Sequence, residues 1–385
     1  MAVWAGTVLL MVAGAASFGP AKGTAQAKPG ALNKAWSYST GEKLIYAPLP
    51  AAGRLFVASE QHVFALDVER GTLDWKFSPA EGEVWPGSMV VRNGMVYIGA
   101  HGGQYYALAA DSGKVEWKHA LEINSVKPAL FHQDRLYIPT THVWPPKLKS
   151  NPEGKAKLVV LDARTGARRD EFTTSNYILA TPRIEGSRLF LSGNYQGPKL
   201  SDESGYNRIY ALSLEHGLSQ LWTYESHDGF AKSLHAEGGV LNYLGYEDYI
   251  SGIDTRTGKR LWRVHTGNWV QGFTPSDGKI YYGSALNKVV AIDQSKGNTL
   301  WRYPIPDKNM FSTIIGSPVI HAGAVYWIRN LNQQFTAVSA STGKLLWFYP
   351  TDLAEESQAE PAVTDRRIFM VSFDGRVLAY DFPRH

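Results

Sequence analysis

Gly252–Trp262, GIDTRTGKRLW, writes a strand end, a tight turn and the start of a second strand in eleven residues. The Asp254 carboxylate is placed to accept backbone N–H groups of the turn that follows. Gly258 supplies a positive φ without steric cost, and Trp262 stands four residues further on. The same ruler fits elsewhere. ALDVERGTLDW repeats it with Asp67, Gly71 and Trp75, and AIDQSKGNTLW with Asp293, Gly297 and Trp301. ALAADSGKVEW has Ala109 in the Asp position before Gly113 and Trp117, and AVSASTGKLLW has Ser339 before Gly343 and Trp347. LDARTGARRD keeps Asp162 and Gly166 but carries Asp170 where Trp belongs. ALSLEHGLSQLW has Ser213, Gly217 and a Trp222 displaced by one, and the chain closes on VLAYDF with Asp381.

Taking the Asp position as origin, the copies fall at 67, 109, 162, 213, 254, 293, 339 and 381, spaced 39 to 53 residues apart. Such a period suits one four-stranded propeller blade per copy. The last copy stops before its Gly and Trp, while an unmatched Trp36 stands in NKAWSYST near the start. The reading is an all-β, eight-bladed propeller of four-stranded antiparallel blades over residues 28–385, closed by the N-terminal strand so that no long edge is left open. In it the Trp side chains fill the wedges between blades, and small residues such as Ala65, Ala291 and Ala379 leave room for them. Proline gives an independent check. Pro48, Pro182, Pro318 and Pro361 each precede by eight residues the aromatic of the next strand (Phe56, Phe190, Tyr326, Phe369), which suits the start of an innermost strand.

Composition narrows the function. A net charge of +4 over 385 residues argues against nucleic acid as a partner. With no cysteine there is no disulfide, no thiolate metal site, no thiol nucleophile and no lipid-modified N-terminal cysteine, and the eleven His residues show no metal-ligand spacing. From Ala2 to Phe18 the chain is uncharged and, apart from Thr7 and Ser17, apolar, and Ala25-Gln26-Ala27 has the small-x-small form of a signal-peptidase site. Residues 1–27 therefore read as an export signal, with no membrane-spanning run beyond it. The expected location is periplasmic, cell-envelope or extracellular.

The AxDxxTGxxxW pattern, nearly whole in GIDTRTGKRLW, resembles the repeat of pyrroloquinoline-quinone-type eight-bladed propellers, and the resemblance covers about residues 31 to 385. It implies one of two branches. Large quinoprotein dehydrogenases of that superfamily use the quinone with calcium beneath a pair of adjacent cysteines, whereas a compact branch, similar in length to this chain, consists of BamB-like lipoprotein scaffolds of outer-membrane protein assembly. The missing cysteines depart from both. Pyrroloquinoline quinone with calcium is therefore not carried over, no cofactor is expected, and neither is a lipid anchor.

In such a propeller the b–c loops and the blade-to-blade connections emerge on one face. There lie the two longest insertions, Thr141–Lys155 and Asn194–Asn207, on consecutive blades. Their Trp144, Tyr195 and Tyr206, with Trp269 and His101, are the candidate partner- or ligand-facing residues, because aromatics bury much area at low entropic cost. His227, Asp228, Lys232, His235 and His265 belong to the same expected face, but no nucleophile elbow, phosphate cradle or metal-loop spacing accompanies them, and no catalytic residue is assigned. The expected function is a non-enzymatic exported scaffold, a monomer within a larger complex. Its partner would be another envelope protein, such as a β-barrel assembly component. The alternatives are a small quinone-dependent sugar or alcohol dehydrogenase and a carbohydrate-binding or sensor propeller.

Overall fold

The protein is described from a computed structural model covering residues 32–80, 82–121, 127–140, 156–174, 177–178, 180–195, 206–226, 231–245, 248–267, 270–284, 288–305, 316–329, 334–351, 353, 357 and 359–382. These residues form eight antiparallel sheets, each one blade. In chain order the blades occupy 49–77, 84–120, 130–173, 177–226, 233–265, 273–304 and 319–350, and the eighth combines 362–381 with Lys34–Ser39. Lys34–Ser39 pairs with Arg376–Asp381, setting Trp36 opposite Ala379, and Asn33 Nδ2 donates to Asp381 Oδ2 at 2.7 Å. The ring is closed as the sequence implies. Pro48, Pro182, Pro318 and Pro361 each stand immediately before an innermost strand. One blade departs from four strands: in blade 4, Tyr177–Ile178 and Arg183–Glu185 both pair with Arg188–Tyr195, so two short segments share the inner position.

The middle strands are near-continuous apolar runs, such as RLFVA and VFALD in blade 1, because a blade packs on both neighbours. The a–b hairpins turn on pairs with positive φ at both residues, among them Asn93-Gly94 and Asp277-Gly278, as two-residue hairpins of matching twist require. The c–d turns work as the ruler suggests. Asp67 Oδ1 accepts the N–H groups of Glu69 and Arg70, and Asp254 and Asp293 do the same two and three residues ahead. Side-chain and backbone hydrogen bonds from Arg70 hold the Asp67 carboxyl at about 2.

The repeat glycine has a second role that only the packing reveals. Six outer-strand Trp side chains lie against the Gly of the next blade's turn; Trp347 does not, because blade 8 takes its outer strand from the N-terminal segment and has no such turn. A Cβ on Gly71 would fall 2.4 Å from Trp36, and one on Gly113 2.6 Å from Trp75. Trp117 on Gly166, Trp222 on Gly258, Trp262 on Gly297 and Trp301 on Gly343 repeat the contact. The indole N–H then donates to the carbonyl just after the next blade's Asp position: Trp36 to Val68, Trp75 to Ala110, Trp117 to Ala163, Trp222 to Thr255 and Trp301 to Ala340, all at 3.0–3.1 Å. That same residue donates its own N–H to the a–b turn of its blade, as Ala110 does to Gly94. Packing and hydrogen bonding thus join successive blades at one point.

Two further seams are built differently. Between blades 3 and 4 the Trp position is Asp170, and Gly217 faces open space apart from Asp170 Oδ2 at 3.9 Å. The extra residue of that turn, Leu218, is buried at positive φ and packs with Leu158, Val160 and Leu212, which accounts for the one-residue displacement of Trp222. In blade 5, Asn242 and Gly252 take the places of the aromatic and the alanine found in blades 1, 2, 4, 6, 7 and 8. Asn242 Nδ2 donates to Gln294 O at 3.2 Å, the carbonyl that the repeat would offer to Trp262, and Trp262 Nε1 has no partner among the described residues. Among the described residues no helix is long and apolar enough to cross a membrane.

Candidate functional site

The DxxxG turns and a–b hairpins occupy one face of the ring; the b–c loops and blade connections occupy the other, as expected. The loop face is the candidate site, and its geometry can be followed over blades 8, 1 and 2. The segment after the closing strand crosses this face and is pinned at three points. Thr40 Oγ1 donates to Gly375 O at 2.9 Å. Glu42 accepts from the Ser59 hydroxyl, from Lys76 Nζ at 3.2 Å, and pairs with His62 Nδ1 at 2.7 Å. Burial pushes the Glu42 carboxyl up, but its bonds to Ser59, His62 and Lys76 outweigh this and leave it below the ordinary range. Tyr46, 43% exposed, lies over Gly87, where a Cβ would meet its ring at 2.6 Å. Ser59 and His62 both bond Glu42, and the Ser59 hydroxyl meets His62 at its backbone, accepting the His62 N–H at 3.0 Å, and not at its ring, so the trio is a clamp and not a nucleophile with its base.

His101 sits in a single turn of 3-10 helix between the middle strands of blade 2. Its ring stacks on Trp85 at 4.1 Å and 12°, and Glu83 Oε2 approaches its Nε2 at 3.6 Å. This half-exposed aromatic pair beside an acid is the best-defined part of the candidate surface. Trp85 was not singled out by the sequence reading, although its place outside the outer-strand slots marks it as a tryptophan the repeat does not require.

Other expected site residues separate. Tyr195 and Tyr206 are the last and first residues of paired strands, directly opposite each other, so the insertion reading Asn194–Asn207 is corrected: the ladder runs on through 194–195 and 206–207, because the hairpin hydrogen bonds continue past the repeat's usual length. Trp144, Trp269, His227 and Asp228 lie outside the described residues. Lys232 Nζ donates to Val270 O at 2.9 Å. His235 is not on the loop face; it sits mid-way along the inner strand Ser233–Glu237, bonded to Glu237 at 3.2 Å, and burial lowers its pKa. His265 ends an outer strand, against Tyr249. The polar group expected to gather on one face is therefore spread from axis to rim, and among the described residues no group of three or more His, Cys, Asp or Glu is placed to hold a metal.

At the axis, a cavity of about 480 Å³ is bounded by Leu49, Pro86, Met89, Lys127, Gln271 and Glu360 from five blades and the connections between them. Its one described carboxylate, Glu360, already accepts the Ser317 N–H at 2.6 Å, and burial lowers the Lys127 pKa. A single engaged carboxylate does not fit a calcium-bearing quinone site, which needs several free oxygen donors.

The family model described as "Outer membrane protein assembly factor BamB" matches residues 25–129 and 206–384. The gap between these matches, 130–205, holds blade 3, the segments 141–155 and 196–205, and Asp170. The chain is 25% identical to the outer membrane protein assembly factor BamB of Escherichia coli K12, over 89% of this chain and 87% of that protein. The crystal structure of BamB from Moraxella catarrhalis superposes with a TM-score of 0.66 at 19% identity, covering 91% of this chain and all of that one. The quinohemoprotein alcohol dehydrogenase of Comamonas testosteroni gives 0.65 at 14% identity, over 92% and 78%. The last two likenesses speak for the fold alone. With a match over most of its length, and with the closed ring of eight blades it builds, the chain belongs to the outer membrane protein assembly factor BamB family.

Proposed function

We propose that this protein is an exported, non-enzymatic scaffold that holds another envelope protein, a component of outer-membrane protein assembly, on its loop face over blades 2 to 4. The observation that carries the reading is the family match, joined to a closed eight-bladed ring that among the described residues gathers no group of three or more His, Cys, Asp or Glu able to hold a metal. The docking area would combine the Trp85–His101 stack on blade 2 with the blade 3 insertion, which carries Trp144, and with the blade 4 insertion and the strand-end Tyr195 and Tyr206 that flank it. Rigid aromatic platforms of this kind supply contact area without a large ordering cost. No cofactor is part of this reading, and one protomer is its working unit within a larger assembly.

Affinity purification from envelope extract tests it. Removing 142–155, or 196–205, should leave the thermal unfolding midpoint unchanged and weaken capture of the partner, and His101→Ala should weaken it less. Full capture by both deletions would remove this face from consideration. The competing reading, a quinone-dependent dehydrogenase, draws on the fold likeness to quinohemoprotein enzymes. Stoichiometric binding of pyrroloquinoline quinone with calcium, together with dye-linked alcohol oxidation, would establish it in place of the scaffold.

A further inference from the structure

The innermost strands of the eight blades line the axis, and the ladder fixes one position on each: the residue opposite the second-strand aromatic, or opposite Asn242 in blade 5. It is Leu49, Val90, Leu130, Val319 and Ala362 in blades 1, 2, 3, 7 and 8, and Arg183, His235 and Thr274 in blades 4, 5 and 6. Two of these three polar residues are satisfied inside the protein. His235 Nε2 meets Glu237 at 3.2 Å, and the Thr274 hydroxyl donates to Pro318 O. Arg183 is the exception. Its Nη1 donates to the Pro182 carbonyl at 3.1 Å and lies 3.5 Å from that of Thr181, whereas Nε and Nη2 have no hydrogen bond among the described residues. Neither atom is sealed off: no nitrogen of Arg183 is among the enclosed, unbonded polar atoms, and the residue keeps part of its surface accessible.

No ion pair joins Arg183 to a carboxylate among the described residues. The acids nearest along its own and the next inner strand are engaged, Glu185 Oε1 by the Gly239 N–H at 2.8 Å and Glu237 by His235. Burial lowers the Arg183 pKa, and no neighbouring charge offsets this. A guanidinium taken part-way out of water without a counter-ion is destabilising, and apolar residues serve at the same position in five other blades. The open edge is the one that binds anions. Nε–H and Nη2–H of a guanidinium run parallel and match the oxygens of a carboxylate or phosphate. This chain uses that edge so on its rim, where Arg208 Nε and Nη2 both donate to Glu225 Oε1. At Arg183 it offers the donors without the acceptor. Phe190, opposite Arg183 on the ladder, packs with Leu234 and Leu241 of blade 5, so this row faces that blade. The axis beside it is hollow: Leu49, the counterpart of Arg183 in blade 1, lines the cavity of about 480 Å³.

We propose that Arg183 anchors a small-oxyanion site on the blade 4–5 side of the axis, holding a phosphate or carboxylate group by its Nε–Nη2 edge. The site uses none of the loop-face aromatics and is independent of the scaffold reading.

The test uses the full chain with inorganic phosphate and acetate as probes, at an ionic strength held constant with chloride, read by isothermal titration and by the thermal unfolding midpoint. At least one probe should bind saturably at one site, and the tighter of the two identifies the head group. Arg183→Met, a neutral side chain of similar length, should weaken that binding by at least about tenfold, the scale of a lost charge-assisted pair. Arg183→Lys, which keeps the charge but not the paired edge, should weaken it by about fivefold, the scale of one lost hydrogen bond. The anion should also raise the wild-type midpoint by more than that of Arg183→Met. If Arg183→Met fails to fold, Arg183→Lys decides. No saturable binding of either probe, equal binding by wild type and Arg183→Met, undiminished binding by Arg183→Lys, or an equal rise in midpoint for wild type and Arg183→Met would each overturn the proposal.

Discussion

Replacing Gly113 by alanine probes the joint on which the ring rests. Gly113 has φ +70°, and a Cβ there would lie 2.6 Å from Trp75 Cε3 and 2.7 Å from Cδ2. Two costs combine. The left-handed backbone costs a non-glycine residue about 1–2 kcal/mol. The indole must then retreat by about 1 Å to reach an ordinary carbon contact, which overpacks blade 1 against blade 2 at about 1–3 kcal/mol. The Trp75 bond to Ala110 O, 3.1 Å long, is strained by the same movement. The expected loss is about 2–5 kcal/mol, the sum of these terms. Gly94 provides the control: φ is +73° and nothing lies within 4 Å of its added Cβ, so Gly94→Ala should cost only the backbone part, about 1–2 kcal/mol. Equilibrium unfolding in urea, followed by tryptophan fluorescence and by circular dichroism, gives both values. In a Trp75→Ala background, Gly113→Ala should fall to the Gly94→Ala cost. Equal losses for the two glycines in the intact protein would refute the seat.

Three further outcomes follow from the same geometry. Trp75→Phe should destabilise by about 1 kcal/mol more than Trp262→Phe, because Trp75 Nε1 donates to Ala110 O whereas Trp262 Nε1 has no partner among the described residues; paired urea titrations compare them. Leu218→Ala should cost about 2–5 kcal/mol in the same assay if that side chain fills the space of the missing tryptophan, and a loss typical of a surface site would contradict this. Glu42 has a folded pKa below its ordinary 4.5. Its contribution is therefore complete above pH 4.5 and is lost as pH falls through the folded value. Wild type should lose stability relative to Glu42→Gln over that acid interval and exceed it near neutrality, which thermal melts across pH can check.

Closeness along the chain is a poor guide to closeness on a propeller face. His235 and His265 are near Lys232 in sequence, yet one lies mid-strand by the axis and the other at the rim. A blade runs radially, so neighbours along the chain can finish far apart. Conversely, Trp85 and His101 are separated by a whole hairpin and stack. The ends of the blade 4 insertion were misread for a different reason: Asn194, Tyr195, Tyr206 and Asn207 continue the strand ladder, and whether a polar stretch still pairs depends on its partner strand and not on its own composition.

The sequence by itself determined the number of blades, the closing role of Trp36 and the chemistry of each turn. These depend on interactions within a few residues: Asp accepting N–H groups two and three ahead, Gly taking a positive φ, apolar runs as long as one strand. Tertiary structure alone decided how the blades join. Gly113 carries the indole of Trp75 from the preceding blade, Leu218 stands in for a tryptophan that Asp170 does not provide, and Arg183 reaches the axis with no carboxylate among the described residues to pair it. Each of these depends on where one blade's side chains meet another's. That meeting is set by the angle and register of packed sheets, which no local pattern of residues encodes.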